Sequence, residues 1–305
     1  VTGPELTIQI EDAAVAANPR SVAAHFTLAS LYAAREQMEE ATREFNEVLR
    51  LNPQATIAHI ELARIHLALG ETKMASDFAE QAVQTAPKDI DAQALFVRTL
   101  ISRGETTRAA AALRPLIDTR MDRSDLHVLD GTIRLAHHEF AAARQAFQRA
   151  LAIEPDGLQA LEGLLTTEIE SGNLSAARAA IERRLAARPA NTPLLMLAAR
   201  TYSSIGAFDR DEATLRKAME LAPSSPQPYG MLASIYLGQR KLDEARAEFE
   251  QVTKRDPKSV PALTMIGTIQ ELQNAMPGAQ RSYEQALQID KRAAVAGNNL
   301  AWLYA

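Results

Sequence analysis

The chain has 305 residues, no cysteine, and 33 basic against 38 acidic side chains, giving a mild formal charge of −5. The missing cysteines exclude disulfides and thiolate metal sites, and dispersed charge of this size offers no concentrated basic face for nucleic acid. Aromatic residues make up only 5% of the chain, strand-type alternation is absent and no apolar run approaches a transmembrane length, so an all-α chain without membrane insertion is expected.

The chain opens on a helix predicted over roughly residues 5–17, which leads to Asn18-Pro19. From there it repeats. Proline recurs every 34 residues at Pro19, Pro53, Pro87, Pro155, Pro189, Pro223 and Pro257, and only Met121 and Lys291 break the series. The units are therefore 22–55, 56–89, 90–123, 124–157, 158–191, 192–225, 226–259 and 260–293, with half-units at 1–21 and 294–305. Each reads as two amphipathic helices. A small residue recurs in the first helix (Ala29, Ala63, Gly131, Ala199, Ala233, Gly267, Ala301) and an alanine in the second (Ala41, Ala75, Ala109, Ala143, Ala177, Ala245, Ala279). Val97 and Leu165 replace the small residue, and Asp211 replaces the alanine. Gly70, Gly104, Gly172 and Gly206 fall between the paired helices, where a left-handed residue ends a helix cheaply.

Within the unit spanning Gln227–Pro257, Tyr229-x2-Leu232-Ala233-x2-Tyr236, then Ala245, Phe249 and Pro257, resembles the tetratricopeptide repeat signature W-x2-L-G-x2-Y, A-x3-F, P. The register covers almost the whole chain. The resemblance implies a right-handed superhelical α-solenoid of stacked antiparallel helix pairs, a single array over 1–305, whose first helices line a concave groove. By that resemblance the groove-facing positions are the second, fifth, ninth and twelfth. The partner-binding candidates are Phe26, Ile60, Val128 and Met196 at the fifth, with Arg64, Arg98, Thr132 and Arg200 at the ninth. Arginines beside an apolar ridge suit a peptide or helix that carries hydrophobic anchors and acidic groups. The twelfth-position residues, among them Leu67, Ile101, Leu135, Ile169 and Leu237, read either as groove or as packing between repeats. Ser30, Arg64 and Arg98 do not reproduce the lysine and asparagine clamp by which some members of the family grip a C-terminal carboxylate.

The third and fourth units are irregular. Pro115 falls inside a second helix and Met121 replaces the terminating proline, while Asp130 and Arg134 take core positions. The two readings are a tolerated kink, with Asp130 and Arg134 paired at i, i+4, and a hinge between Pro115 and Arg134. Chemistry is sparse. His25, His59 and His127 stand where the family often has tryptophan, and His66 takes another packing place. His137-His138 belongs to a turn, and Glu168 and Glu170 diverge on their helix. Phosphate loops, nucleophile elbows and metalloprotease helices are absent. No catalytic, cofactor-binding or metal residue is therefore expected, and the chain is not read as an enzyme.

The reading that follows is a scaffold for protein or peptide partners. The alternatives are a substrate-binding or regulatory arm of a larger enzyme, such as a glycosyltransferase, and a self-associating structural element. The chain starts on a second-type helix and stops inside a first-type one, which suggests a piece of a longer repeat protein. Leu300, Trp302, Leu303 and Tyr304 would then lack a partner helix and allow end-to-end homo-association. The string Asn298-Asn-Leu-Ala-Trp-Leu-Tyr304 is similar to repeat proteins that accompany exopolysaccharide and exosortase systems. It points to a bacterial cell envelope or periplasm, with the cytoplasm as the alternative.

Overall fold

The computed structural model describes residues 12–222, 225 and 227–304. The first part of the helix expected over 5–17, and Pro223 of the proline series, lie outside the described residues. Among the described residues all regular structure is helical. Residues 12–17 form α1. It is followed by α2 (Val22–Ala34), α3 (Met38–Leu51), α4 (Thr56–Ala68), α5 (Thr72–Thr85), α6 (Ile90–Ser102), α7 (Thr106–Thr119), α8 (Ser124–Ala136), α9 (Phe140–Ile153) and α10 (Leu158–Glu170). Then come α11 (Leu174–Ala187), α12 (Thr192–Ser204), α13 (Phe208–Leu221), α14 (Gln227–Gly238), α15 (Leu242–Arg255), α16 (Val260–Leu272), α17 (Met276–Ile289) and α18 (Ala294–Tyr304). Two compact units result, Val1–Thr167 and Glu168–Ala305.

Two kinds of turn set the period. Between the helices of each pair one residue adopts the left-handed conformation. Gly70, Gly104, Gly172 and Gly206 do so at φ of 73 to 80°, and Glu36, His138, Arg240 and Asn274 do so at 57 to 59°. The next amide donates to the carbonyl five residues back, as Gln37 does to Tyr32 and Lys241 to Tyr236, while the left-handed residue's own amide donates three back. This is the paired capping pattern that satisfies the last carbonyls of a helix. Four of the eight positions thus hold a side chain, and at three of them, Glu36, His138 and Arg240, it is not the asparagine that visits this conformation most readily after glycine. The sequence shows only the four glycines.

Between pairs, a tight turn closes from the fourth residue's amide to the first residue's carbonyl, as from Ser21 to Asn18 and from Ser259 to Asp256. Proline stands second in it, where its fixed φ suits the turn and no donor is lost. Met121 and Lys291 occupy the same place with the hydrogen bond kept, Arg123 to Arg120 and Ala293 to Asp290. Side chains then open several first helices: Ser21, Asp89 and Asn191 accept from first-turn amides.

In the unit Val1–Thr167, α2 packs on α3, α4 on α5, α6 on α7 and α8 on α9, while α4 touches α6 and α6 touches α8. Phe45 is fully buried among Ala29, Ala41, Ala58 and Leu62. The Phe147 ring lies so close to two helix backbones that a Cβ on Gly131 would come within 2.7 Å of it, and one on Gly163 within 2.3 Å. Gly163 precedes Leu165, which fills the usual small position, by two residues. In the unit Glu168–Ala305 one core runs from Leu195 through Tyr229 and Phe249 to Ile269, and Tyr283 lies against Gly267 in a second.

α7 continues through Pro115. Asp130 and Arg134 form the ion pair at 2.9 Å, and Glu139 is a second partner of Arg134 at 3.1 Å. Arg123 reaches Asp91 at the start of α6 and Asp125 at the start of α8, both at 2.7 Å. It thereby ties two first helices together beside the turn that lacks proline.

Candidate partner-binding site

The first helices carry the expected candidates, and burial sorts them. Ile60 and Met196 are only 7% and 6% exposed and belong to the cores. Phe26 is half-buried, its ring edge-on to Phe45 at 5.6 Å, and Val128 is half-buried against Phe147's cluster. The fifth position therefore serves mainly packing. Leu67, Ile101, Leu135 and Leu237 at the twelfth are also half-buried against their cores.

At the ninth position the hydroxyls turn inward. Ser30, Thr132, Thr166, Ser234 and Thr268 each donate to the carbonyl four residues back on their own helix, at 2.8 to 3.1 Å. Arg64, Arg98 and Arg200 are exposed instead. Glu61 pairs with Arg64 at 2.7 Å across one turn, an exposed pair of little energetic weight. The exposed charge at this position thus comes from Arg64 and Arg98 in the unit Val1–Thr167 and from Arg200 in the unit Glu168–Ala305.

The histidines have a structural task that packing arguments did not reveal. The Nε2 atoms of His25, His59 and His127 face the carbonyls of Pro19, Pro53 and Met121, at 3.3, 3.0 and 3.0 Å, each six residues earlier in the turn before the helix. Gln93 donates to the Pro87 carbonyl in the same way at 2.6 Å. The His66 ring stacks on Phe78. Among the described residues no group of three or more His, Asp or Glu side chains could hold a metal ion, and no helix is long and apolar enough to cross a membrane. Asn299 donates to the Tyr283 hydroxyl at 3.1 Å, which in turn donates to Glu271 at 2.9 Å.

One cleft stands out within the unit Glu168–Ala305. It encloses about 790 Å³ between α12, α13 and α14, with Arg200, Ser203, Phe208, Asp211, Gly230 and Met231 among its lining residues. Asp211 is fully buried there, and among the described residues no donor meets its carboxylate oxygens in full hydrogen-bond geometry. Burial pushes its pKa up to about 6, and the nearby Ser203 hydroxyl pulls it back only in part. The sequence showed this residue as a departure from alanine, but gave no sign of the cleft.

The tetratricopeptide repeat pattern matches residues 36–95, 134–201 and 206–266, more than half of the chain. A tetratricopeptide repeat protein from Parabacteroides merdae has a similar structure, with a TM-score of 0.57 at 16% identity, covering 81% of this chain and 98% of that one. A chain of the APC/C hetero-tetramer Cut9–Hcn1 aligns with a TM-score of 0.51 at 14% identity, covering 92% of this chain and 56% of its own. At these identities the likeness is one of fold. No curated protein sequence matches the chain.

Proposed function

Because the chain belongs to the tetratricopeptide repeat family, whose repeats generally mediate protein–protein interaction, we propose that it is a non-catalytic scaffold that binds peptide or helical segments of partner proteins along its first helices. The observation that carries this reading is the ninth register position. Arg64 and Arg98 are exposed on α4 and α6 of one unit, while the hydroxyls at that position on other helices turn to their own backbone. The partners that suit it present acidic groups. Exposed arginines attract them at long range and orient them at contact. The partition into units of 34 residues belongs to the same proposal, supported by first helices that begin at Val22, Thr56, Ile90, Ser124, Leu158, Thr192, Val260 and Ala294.

Quantitative affinity capture tests it. Arg64→Glu/Arg98→Glu should lose partners that the wild type retains, whereas Arg50→Glu/Arg108→Glu, an equal charge change on second helices, should keep them. Equal recovery by both variants refutes the assignment. A second reading, self-association, is favoured by Trp302, 79% exposed on α18 beside exposed Val295 and Tyr304. Light scattering with and without residues 294–305 decides it: a monomer in both cases removes it.

A further inference from the structure

The cleft between α12, α13 and α14 holds a charge that no described residue balances. At the position of Asp211 the other units carry Ala41, Ala75, Ala109, Ala143, Ala177, Ala245 and Ala279, each fully buried. Asp211 is equally buried, and among the described residues no donor meets its oxygens in full hydrogen-bond geometry, the Ser203 hydroxyl acting on it only in part. A carboxylate in that state is costly. Its perturbation comes from burial, which the Ser203 hydroxyl offsets in part, and no charge of a described residue is among its causes. That includes Arg200, which lines the cleft from α12, and Asp209, Arg210 and Glu212, which flank Asp211 on α13. From α14 the cleft receives only uncharged residues.

The cavity itself arises from a missing side chain. Gly230 occupies the fifth position of α14, and a Cβ added there would meet nothing within 4 Å. Phe208, Met231 and Ile235 give the walls an apolar surface, and Ser203, Ser204 and Ser234 contribute hydroxyls.

Building on the scaffold reading above, we propose that this cleft receives a lysine side chain of a partner protein, with its aliphatic stem against Phe208, Met231 and Ile235 and its ammonium group at Asp211. Lysine combines a compact charge and three donors with an apolar stem, which fits an apolar passage ending at an unpaired carboxylate. A neutral donor would satisfy the oxygens but leave the charge uncompensated. Because both oxygens are sealed from water, the ammonium enters as a wall side chain swings aside. Met231, half-buried and unbranched, has the freedom to do so.

The test uses n-butylammonium, the lysine side chain without its backbone, and n-pentanol as a neutral counterpart of similar shape. The readout is the carbon-13 NMR signal of the Asp211 carboxyl across a pH titration. Saturable binding of butylammonium should lower the titration midpoint by about one pH unit or more, as a nearby opposite charge does, and pentanol should leave it in place. Asp211→Ala should weaken butylammonium binding at least tenfold. Gly230→Leu should block it by filling the cleft while the carboxyl still titrates, so the proposal remains testable if Asp211→Ala folds poorly. A carboxyl signal unmoved by butylammonium, or equal binding of both probes to wild type and Asp211→Ala, overturns the proposal. That failure is separate from failure of the scaffold reading, which is judged by Arg64 and Arg98 in the other unit.

Discussion

Adding one methyl group at Gly163 tests the packing logic, because two effects of opposite sign meet there. In a helix interior, glycine to alanine gains roughly 1 kcal/mol from backbone propensity. At Gly163 the new Cβ would fall 2.3 Å from the Phe147 ring, and that ring is 1% exposed with Gly131 of α8 also against it. Overpacking of this kind costs about 1 to 3 kcal/mol, because a rigid buried ring moves only with its surroundings. At so short a distance the cost lies in the upper part of that range, so the steric term should win, and Gly163→Ala is expected to destabilise by up to about 2 kcal/mol. Gly230→Ala, where the Cβ meets open space, should instead stabilise by about 1 kcal/mol. Urea unfolding followed by circular dichroism measures both, with hydrogen exchange in α8–α10 locating the effect, since repeat proteins need not unfold in one step. Repeating Gly163→Ala in a Phe147→Leu background should shrink the loss, giving a coupling of about 1 kcal/mol in the double-mutant cycle. If Gly163→Ala stabilises as much as Gly230→Ala, or if the cycle shows no coupling, the close packing of Phe147 on Gly163 does not limit the side chain there.

Further outcomes are expected elsewhere. The pKa of Asp211 lies above its ordinary carboxylate value in the folded protein, so the native state binds more protons than the unfolded state between about pH 4 and 6, and its contribution to stability falls as pH rises through that window. Two pK units correspond to about 3 kcal/mol. Asp211→Ala should therefore gain on the wild type progressively from pH 4 to 6 and hold the advantage above, whereas a pH-independent difference in urea midpoint would refute the assignment. Arg240→Gly should stabilise by roughly 0.5 to 1 kcal/mol, because Arg240 sits at φ 58° with a Cβ that this conformation disfavours; a loss in thermal unfolding would show that its side chain matters more. His59→Leu should destabilise by about 1 kcal/mol through loss of the hydrogen bond to the Pro53 carbonyl. His59→Gln, which places at that register position the side chain that Gln93 already uses there, should restore most of it in the same assay.

The repeat period was legible because turn chemistry is local. Proline at 34-residue steps, the glycines from Gly70 to Gly206 and the alternation of small and bulky residues each have a meaning that neighbouring residues alone decide. The Asp130–Arg134 pair was legible for the same reason, as i and i+4 are adjacent on any helix. Turn conformation was less so. Glu36, His138 and Arg240 take the left-handed state without the glycine that usually announces it, since the hydrogen bonds of the helix end over-determine it.

What the sequence by itself determined is the all-α repeat and its period. These follow from periodicities that survive unfolding. The tertiary structure decided how the positions divide between core and surface. Ile60 and Met196 share a register position with Gly230, yet the first two are buried and the third opens a cleft, because exposure depends on the volume that neighbouring helices leave. It also decided that Asp211, one of many carboxylates in the chain, is fully buried, since desolvation is a property of the packed interior and no local pattern encodes it.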